Sequence, residues 1–239
     1  MRRDILEETF RLLARHFYLF TLIALTVWLP GHLIINYIDF FATSKGAADA
    51  GARGFRMGLM VEGAFGPLVV AATLSALARI TRGEPAGYAQ AMRHGLVMWP
   101  RLFIARLVAS AVILAGLIAL VVPGVLALVR LSFVDALVVL EGAPLGAALR
   151  ASNALTAGRR LAIFWTGGFL FVVVFSAAMT LSGLAGAADH FVVQVLVDCV
   201  IAVTQTVFTI ALFLFYREAT AKPGIPPRPL LPPERSPTR

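Results

Sequence analysis

Six apolar runs, each about as long as a bilayer-spanning helix, constrain this chain more than any other feature. The runs are roughly 17–38, 57–80, 102–122, 125–140, 161–184 and 191–216. A spanning helix needs about 20 apolar residues, so the fourth run is short. Apolar residues make up 59% of the chain and charged residues 14%, against roughly 45–50% and 25% in soluble domains. The sequence therefore excludes a soluble globule and predicts an all-α, polytopic integral membrane protein with six transmembrane helices.

The basic residues set the expected orientation of these helices. Most of them precede the first run, separate the second run from the third and the fourth from the fifth, or follow the sixth: Arg2, Arg3, Arg11, Arg15, Arg79, Arg82, Arg93, Arg101, Arg150, Arg159, Arg160, Arg217, Lys222, Arg228, Arg235 and Arg239. Because cytoplasmic loops carry an excess of Lys and Arg, we expect both termini in the cytoplasm. The net charge of +8 is not gathered in a soluble basic domain, so we expect membrane lipids rather than nucleic acid as partners.

An internal repeat is visible in the segments that begin at Glu84 and Glu141. The two segments share Glu, Ala, Ala and Arg at four matching places, 57 positions apart. Each segment places apolar residues on one helical face, and residues 6, 10, 13 and 17 form a weaker third copy. We predict three units, about 1–81, 82–140 and 141–221, each a cytoplasmic amphipathic helix followed by a membrane hairpin. Chance likeness between short basic loops is the alternative.

These amphipathic segments carry a predicted interfacial motif. Its members are Glu84, Arg93, Glu141, Arg150, Arg159 and Arg160. Amphipathic helices lie in the headgroup plane with Arg towards anionic lipid, which is consistent with plain anchoring or with a lipid headgroup site. Residues 222–239 are Pro-rich and basic, and we expect a disordered cytoplasmic tail there. The cytoplasmic helices or this tail are the expected contact for a protein partner.

Charged residues inside the apolar runs are the candidates for chemistry. Glu62, Arg130 and Asp198 recur at intervals of 68 residues, one in the second span of each unit. Unpaired charges are costly in a membrane, so we predict an acid–Arg–acid cluster in which Arg130 bridges both carboxylates. Its role is either to hold the repeats together or to bind a proton or ion. Asp135 lies deeper than this cluster and is a candidate titrating acid.

Conventional catalytic and metal-binding patterns do not emerge from the sequence. Its one cysteine, Cys199, lies in an apolar run, and the four histidines are far apart. Neither a nucleophile–base pair nor a cluster of metal ligands can be assigned. We therefore expect a non-enzymatic protein without a metal or cofactor.

A set of short motifs runs from the third apolar run towards the fifth. They are Pro123-Gly124, Glu141-Gly142, Ala148-Leu149-Arg150, Ser152, Leu155-Thr156 and Gly158-Arg159. This pattern resembles a bacterial family of six-helix membrane proteins, which includes the membrane domain attached to some glycerophosphodiester phosphodiesterases and the related YciC-like proteins. The resemblance implies a bacterial cytoplasmic (inner) membrane protein. It does not carry over phosphodiesterase catalysis, which belongs to a separate soluble barrel.

Two functions from different classes fit these features. The predicted function is a membrane scaffold or accessory subunit with lipid interactions, and the alternative is a small transporter that uses the intramembrane charges. A wet cavity reaching Asp135 would favour transport. A dry bundle whose acids are satisfied by Arg130 would favour the scaffold.

Overall fold

The computed structural model describes residues 2–38, 47–188 and 190–221. About 90% of these residues are helical, and none of them lies in a β-strand. The tail 222–239, with its expected disorder, lies outside the described residues, as does part of the loop after the first span.

The described residues form nine α-helices. They are α1 (Arg2–Arg15), α2 (Phe17–Tyr37), α3 (Ala47–Thr81), α4 (Tyr88–Ala119), α5 (Val121–Arg130), α6 (Val134–Glu141), α7 (Leu145–Thr156), α8 (Arg160–Ala188) and α9 (Phe191–Thr220). Six segments are long and apolar enough to cross a membrane: α2, residues 56–81 of α3, α4, α5 together with α6, α8, and α9. The predicted all-α, six-span class is confirmed.

The sequence predicts a short turn at Pro123-Gly124, between the apolar runs 102–122 and 125–140, but the structure breaks the helix earlier. The backbone breaks at Leu120, which is extended, and Pro123 and Gly124 lie inside the first turn of α5. Proline suits this position because the first helical turn leaves its N–H groups without intrahelical partners. A β-carbon at Gly124 would lie 2.5 Å from the Leu117 side chain. The glycine therefore permits close packing of α5 on α4 rather than a turn.

The fourth span is interrupted between α5 and α6. Residues 131–133 form a turn there, and a side chain of α7 completes its hydrogen bonds. The Ser152 hydroxyl donates to the Arg130 carbonyl at 2.7 Å and accepts from the Phe133 amide at 3.1 Å. Because Ser152 is fully buried, α7 is anchored against this interruption.

The predicted amphipathic helix of the second unit is not a separate element. It forms the N-terminal part of α4, which continues without interruption through Pro100 into the third span. The buried face runs on from Ala91 through Met98 to Leu102, so no polar segment separates the two parts. The counterpart segments of the first and third units do form separate helices, α1 and α7.

Helices α3, α6 and the C-terminal half of α9 all contribute large side chains to the core. Its largest fully buried side chains include Leu77, Leu137, Leu140, Ile210 and Phe213. By contrast, α8 packs mainly on α9 and exposes Phe169, Phe171 and Phe175. A crevice therefore remains between α8 and the rest of the bundle, and it holds the candidate site.

Candidate functional site

Arg106 and Asp135 form a salt bridge between α4 and α6. Nε and Nη2 of Arg106 both donate to Oδ2 of Asp135, at 3.0 and 2.7 Å. Asp135 lies in the first turn of α6, where a carboxylate also favours the helix dipole. Because a lone charge within a span is costly, each partner stabilises the other.

Arg130 does not take the place predicted for it. Among the described residues its guanidinium forms no ion pair with Glu62 or Asp198, and its Nε is buried without a hydrogen-bond partner. The equal spacing of 68 residues presumes an unbroken helix in each unit, but the fourth span ends its first helix at Arg130. Arg106, rather than Arg130, is the arginine bonded to Asp135 and close to Glu62.

Glu62 of α3 is an exposed side chain on the crevice. It lies close enough to the Arg106 guanidinium and the His32 imidazole to interact with each electrostatically. Within the part of the chain that the structure describes, however, its carboxylate makes no hydrogen bond or ion pair. Glu62 is therefore a carboxylate in a membrane span with its hydrogen-bonding capacity unused.

Gly66 provides the space in which these groups approach. A β-carbon at this position would lie 3.6 Å from Nη1 of Arg106, 3.7 Å from Cγ of Glu62 and 3.9 Å from the Trp28 ring. The outer edge of the guanidinium, which is not used by Asp135, thus faces Glu62 and the indole. A larger side chain at Gly66 would fill this space.

The crevice encloses a cavity of about 330 Å³ that is partly open. All of its lining residues belong to candidate membrane spans: Trp28, Glu62, Gly66, Val69, Val70, Arg106, Phe171, Val174, Phe175, Ala178, Ile201, Ala202, Gln205, Thr206, Phe208 and Thr209. The volume lies within the range of small-molecule sites, roughly 300–1,000 Å³. Mostly apolar walls with a few polar groups are also typical of such sites. We call Glu62, Arg106 and Asp135 the cavity cluster.

Asp198 has partners other than the predicted arginine. Its Oδ2 accepts a hydrogen bond of 2.7 Å from the Asn36 amide and lies 3.9 Å from Nδ1 of His32. Trp28 stacks at a tilt on His32, with 5.8 Å between ring centroids, and Trp28 also lines the cavity. Asp198 therefore joins α9 to α2 next to the cavity without lining it.

Two residues of the predicted interfacial motif pair with side chains in the last turns of α9. The Tyr216 hydroxyl donates to Oε1 of Glu141 at 2.5 Å, and Nη1 of Arg159 lies 2.9 Å from Oε1 of Glu218. Tyr216 is 1% exposed and the Arg159 side chain 11%, whereas the Glu218 side chain is 38% exposed. We call Glu141, Arg159, Tyr216 and Glu218 the terminal cluster.

The other motif residues divide into paired and exposed members. Glu84 lies 3.7 Å from Arg79 and 3.4 Å from Arg82, and Arg160 donates to the Asn153 side chain at 2.9 Å. Arg93 and Arg150 are exposed. Of the four arginines predicted to face lipid phosphates, Arg159 and Arg160 are instead held by protein groups, whereas Arg93 and Arg150 point outwards.

Sequence reasoning missed Arg106, Asn36 and His32. Arg106 had a usable signal, because it is a charged residue within the apolar run 102–122 and such residues find a partner. Asn36 and His32 are polar residues of the first run four positions apart, which places them on one helical face.

The fold defines a multi-pass helical membrane protein with a partly open cavity among its spans that is lined in part by Glu62 and Arg106. No family model, curated protein or solved structure matches the chain.

Proposed function

We propose that this chain is a non-enzymatic small transporter of the bacterial cytoplasmic membrane, with both termini in the cytoplasm. The observation that carries the proposal is the partly open cavity lined by Glu62 and Arg106. Asp135 does not line the cavity but is bonded to Arg106, so a charged path leads from the cavity to it. Intramembrane charges facing a cavity are typical of substrate and ion pathways.

Glu62 is the proposed ion-binding group of this transporter. It faces the cavity and makes no hydrogen bond or ion pair with a described residue, so it is available to a proton or cation. The Arg106–Asp135 salt bridge is the proposed fixed wall of the site. It keeps the site polar and holds the Arg106 guanidinium next to Glu62.

The test is electrical recording from the purified protein in proteoliposomes on a solid support. We expect pH jumps and solute jumps across a panel of ions and metabolites to evoke charge movements in wild type. Glu62→Gln should abolish them, whereas Glu7→Gln, which removes a carboxylate from the exposed face of α1, should leave them intact. Wild-type currents equal to those of empty liposomes, or equal currents in Glu62→Gln and wild type, would contradict the proposal.

A scaffold or accessory role is the second proposal, and the outward position of Arg93 and Arg150 favours it. Exposed arginines at membrane-flanking helices suit anionic headgroups or an acidic partner surface. A photo-crosslinker attached at Arg150→Cys in a Cys199→Ala background should then capture one defined partner in cells. Capture of lipid alone would argue for anchoring instead.

A further inference from the structure

The cavity has a chemistry that selects among substrate classes. We propose that it binds a lipophilic organic cation, such as a quaternary ammonium or phosphonium ion carrying aromatic groups, with Glu62 as the counter-charge. This inference rests on the proposed transport function only for what happens after binding. Occupancy of the cavity and movement of the occupant are measured separately.

The charges of the cavity cluster favour a cation. The cavity cluster contains one cation, Arg106, and two carboxylates, Glu62 and Asp135. Both guanidinium contacts that the structure records go to Asp135, so Asp135 largely neutralises Arg106. Glu62 keeps its negative charge towards the cavity, and a cation entering there gains an interaction strengthened by the low-dielectric surroundings. An anion would instead meet a cluster with one carboxylate in excess.

The aromatic walls of the cavity also favour a cation. Phe171 and Phe175 stack one turn apart on α8, with ring centroids 5.3 Å apart and an angle of 14° between the planes. Both rings are about half exposed, at 57% and 49%, and both line the cavity opposite Trp28. Aromatic faces attract cations, and quaternary ammonium groups are bound in this way.

The remaining lining distinguishes an organic cation from a hydrated metal ion. Hard divalent ions such as Ca²⁺ and Mg²⁺ take about six or more oxygen ligands in a polar shell. Besides the Arg106 guanidinium, the described residues that line this cavity offer only the carboxylate of Glu62, the amide of Gln205 and two threonines among walls that are otherwise mainly apolar. A bulky cation whose charge is shielded by apolar groups is satisfied by one carboxylate and aromatic faces.

A pair of probes with the same shape and opposite charge tests this inference. Binding of tetraphenylphosphonium and of tetraphenylborate is measured by equilibrium dialysis on the purified full chain in detergent, corrected for empty micelles. We expect tetraphenylphosphonium to bind wild type, and Glu62→Gln to weaken that binding at least tenfold. Tetraphenylborate binding should be unchanged or stronger in Glu62→Gln, and Glu7→Gln should bind both probes as wild type does.

A second variant tests the aromatic wall independently of the Glu62 carboxylate. Phe175→Leu should weaken tetraphenylphosphonium binding severalfold, because the apolar volume is nearly kept and the aromatic face is lost. Equal phosphonium affinity in wild type and Glu62→Gln would overturn the inference. Saturable tetraphenylborate binding that is lost in the double variant Arg106→Met/Asp135→Leu, which removes both charges of the salt bridge, would overturn it too and would identify an anion site.

The results also separate this inference from the proposed function. Charge movements in proteoliposomes without phosphonium binding would leave the transporter standing and reject the lipophilic cation as its substrate. Phosphonium binding that depends on Glu62, without any charge movement, would leave the binding site standing and reject transport.

Discussion

The terminal cluster and the cavity cluster use charged residues in opposite ways. In the terminal cluster, Tyr216 donates to Glu141 and Arg159 pairs with Glu218, with side chains 11% and 38% exposed. In the cavity cluster, the Arg106 side chain of the salt bridge is 36% exposed, and Glu62 faces the cavity. The comparison separates charges that hold helices together from a charge that is available to a ligand.

The largest expected effect comes from breaking the salt bridge of the cavity cluster. Arg106→Met leaves Asp135 without its partner and should lower the free energy of unfolding by about 3 kcal/mol, at the low end for such pairs because both side chains are partly exposed, at 36% and 25%. Unfolding in mixed micelles measures this loss. The double variant Arg106→Met/Asp135→Leu removes both charges and should recover most of it. A double variant as unstable as the single one would show that the pair does not act as a unit.

A matched pair of glycine substitutions compares the tight and loose sides of the bundle. A β-carbon at Gly124 would lie 2.7 Å from the backbone nitrogen of Leu117, so Gly124→Ala should cost about 2 kcal/mol through overpacking of α5 on α4. At Gly183 of α8 nothing lies within 4 Å, and Gly183→Ala should be neutral or slightly stabilising. Thermal unfolding of both variants checks this, and equal melting temperatures would mean that α8 is packed as tightly as α5.

Removing the Tyr216 hydroxyl should lower stability moderately and leave ligand binding unchanged. Tyr216→Phe loses the hydrogen bond to Glu141, and hydrogen bonds to charged groups contribute about 1.5–3 kcal/mol. We expect a loss near the lower value in the unfolding assay, with tetraphenylphosphonium binding unchanged. Weakened phosphonium binding in this variant would show that the two clusters are coupled.

The smallest expected effect on stability belongs to Glu62. Glu62→Gln removes a carboxylate that forms no hydrogen bond or ion pair with a described residue, so its unfolding free energy should stay within about 0.5 kcal/mol of wild type. A large destabilisation would mean that Glu62 is a structural charge like those of the terminal cluster.

Hydrophobic run length predicted the spans well because a bilayer imposes a minimum length on each helix. The first, fifth and sixth runs match α2, α8 and α9 to within a few residues. The breaks were harder to predict. Pro123-Gly124 has the composition of a turn, but its place in α5 depends on contact with Leu117, which local sequence does not reveal.

The site was predicted in part. Glu62, Asp135 and Asp198 were identified as intramembrane acids, and all three lie in or next to the cavity region. Their partners could not be derived from regular spacing, because α6 is a separate short helix that brings Asp135 to α4. Pairing across helices depends on crossing geometry, whereas a repeat in the sequence reports only separation along the chain.

The most direct test of the account is whether water reaches the cavity between α8 and the bundle. In a Cys199→Ala background, Ala178→Cys places a thiol on the cavity wall, whereas Val172→Cys places one on the 61% exposed outer face of the same helix. Hydrophilic thiosulfonates react with the thiolate, which forms only where water is present. If water and ligand reach the cavity, the thiol at position 178 should react at least tenfold faster in proteoliposomes than the thiol at 172. Tetraphenylphosphonium should then protect the thiol at 178. Equally slow reaction at both positions would contradict a wet, ligand-accessible cavity.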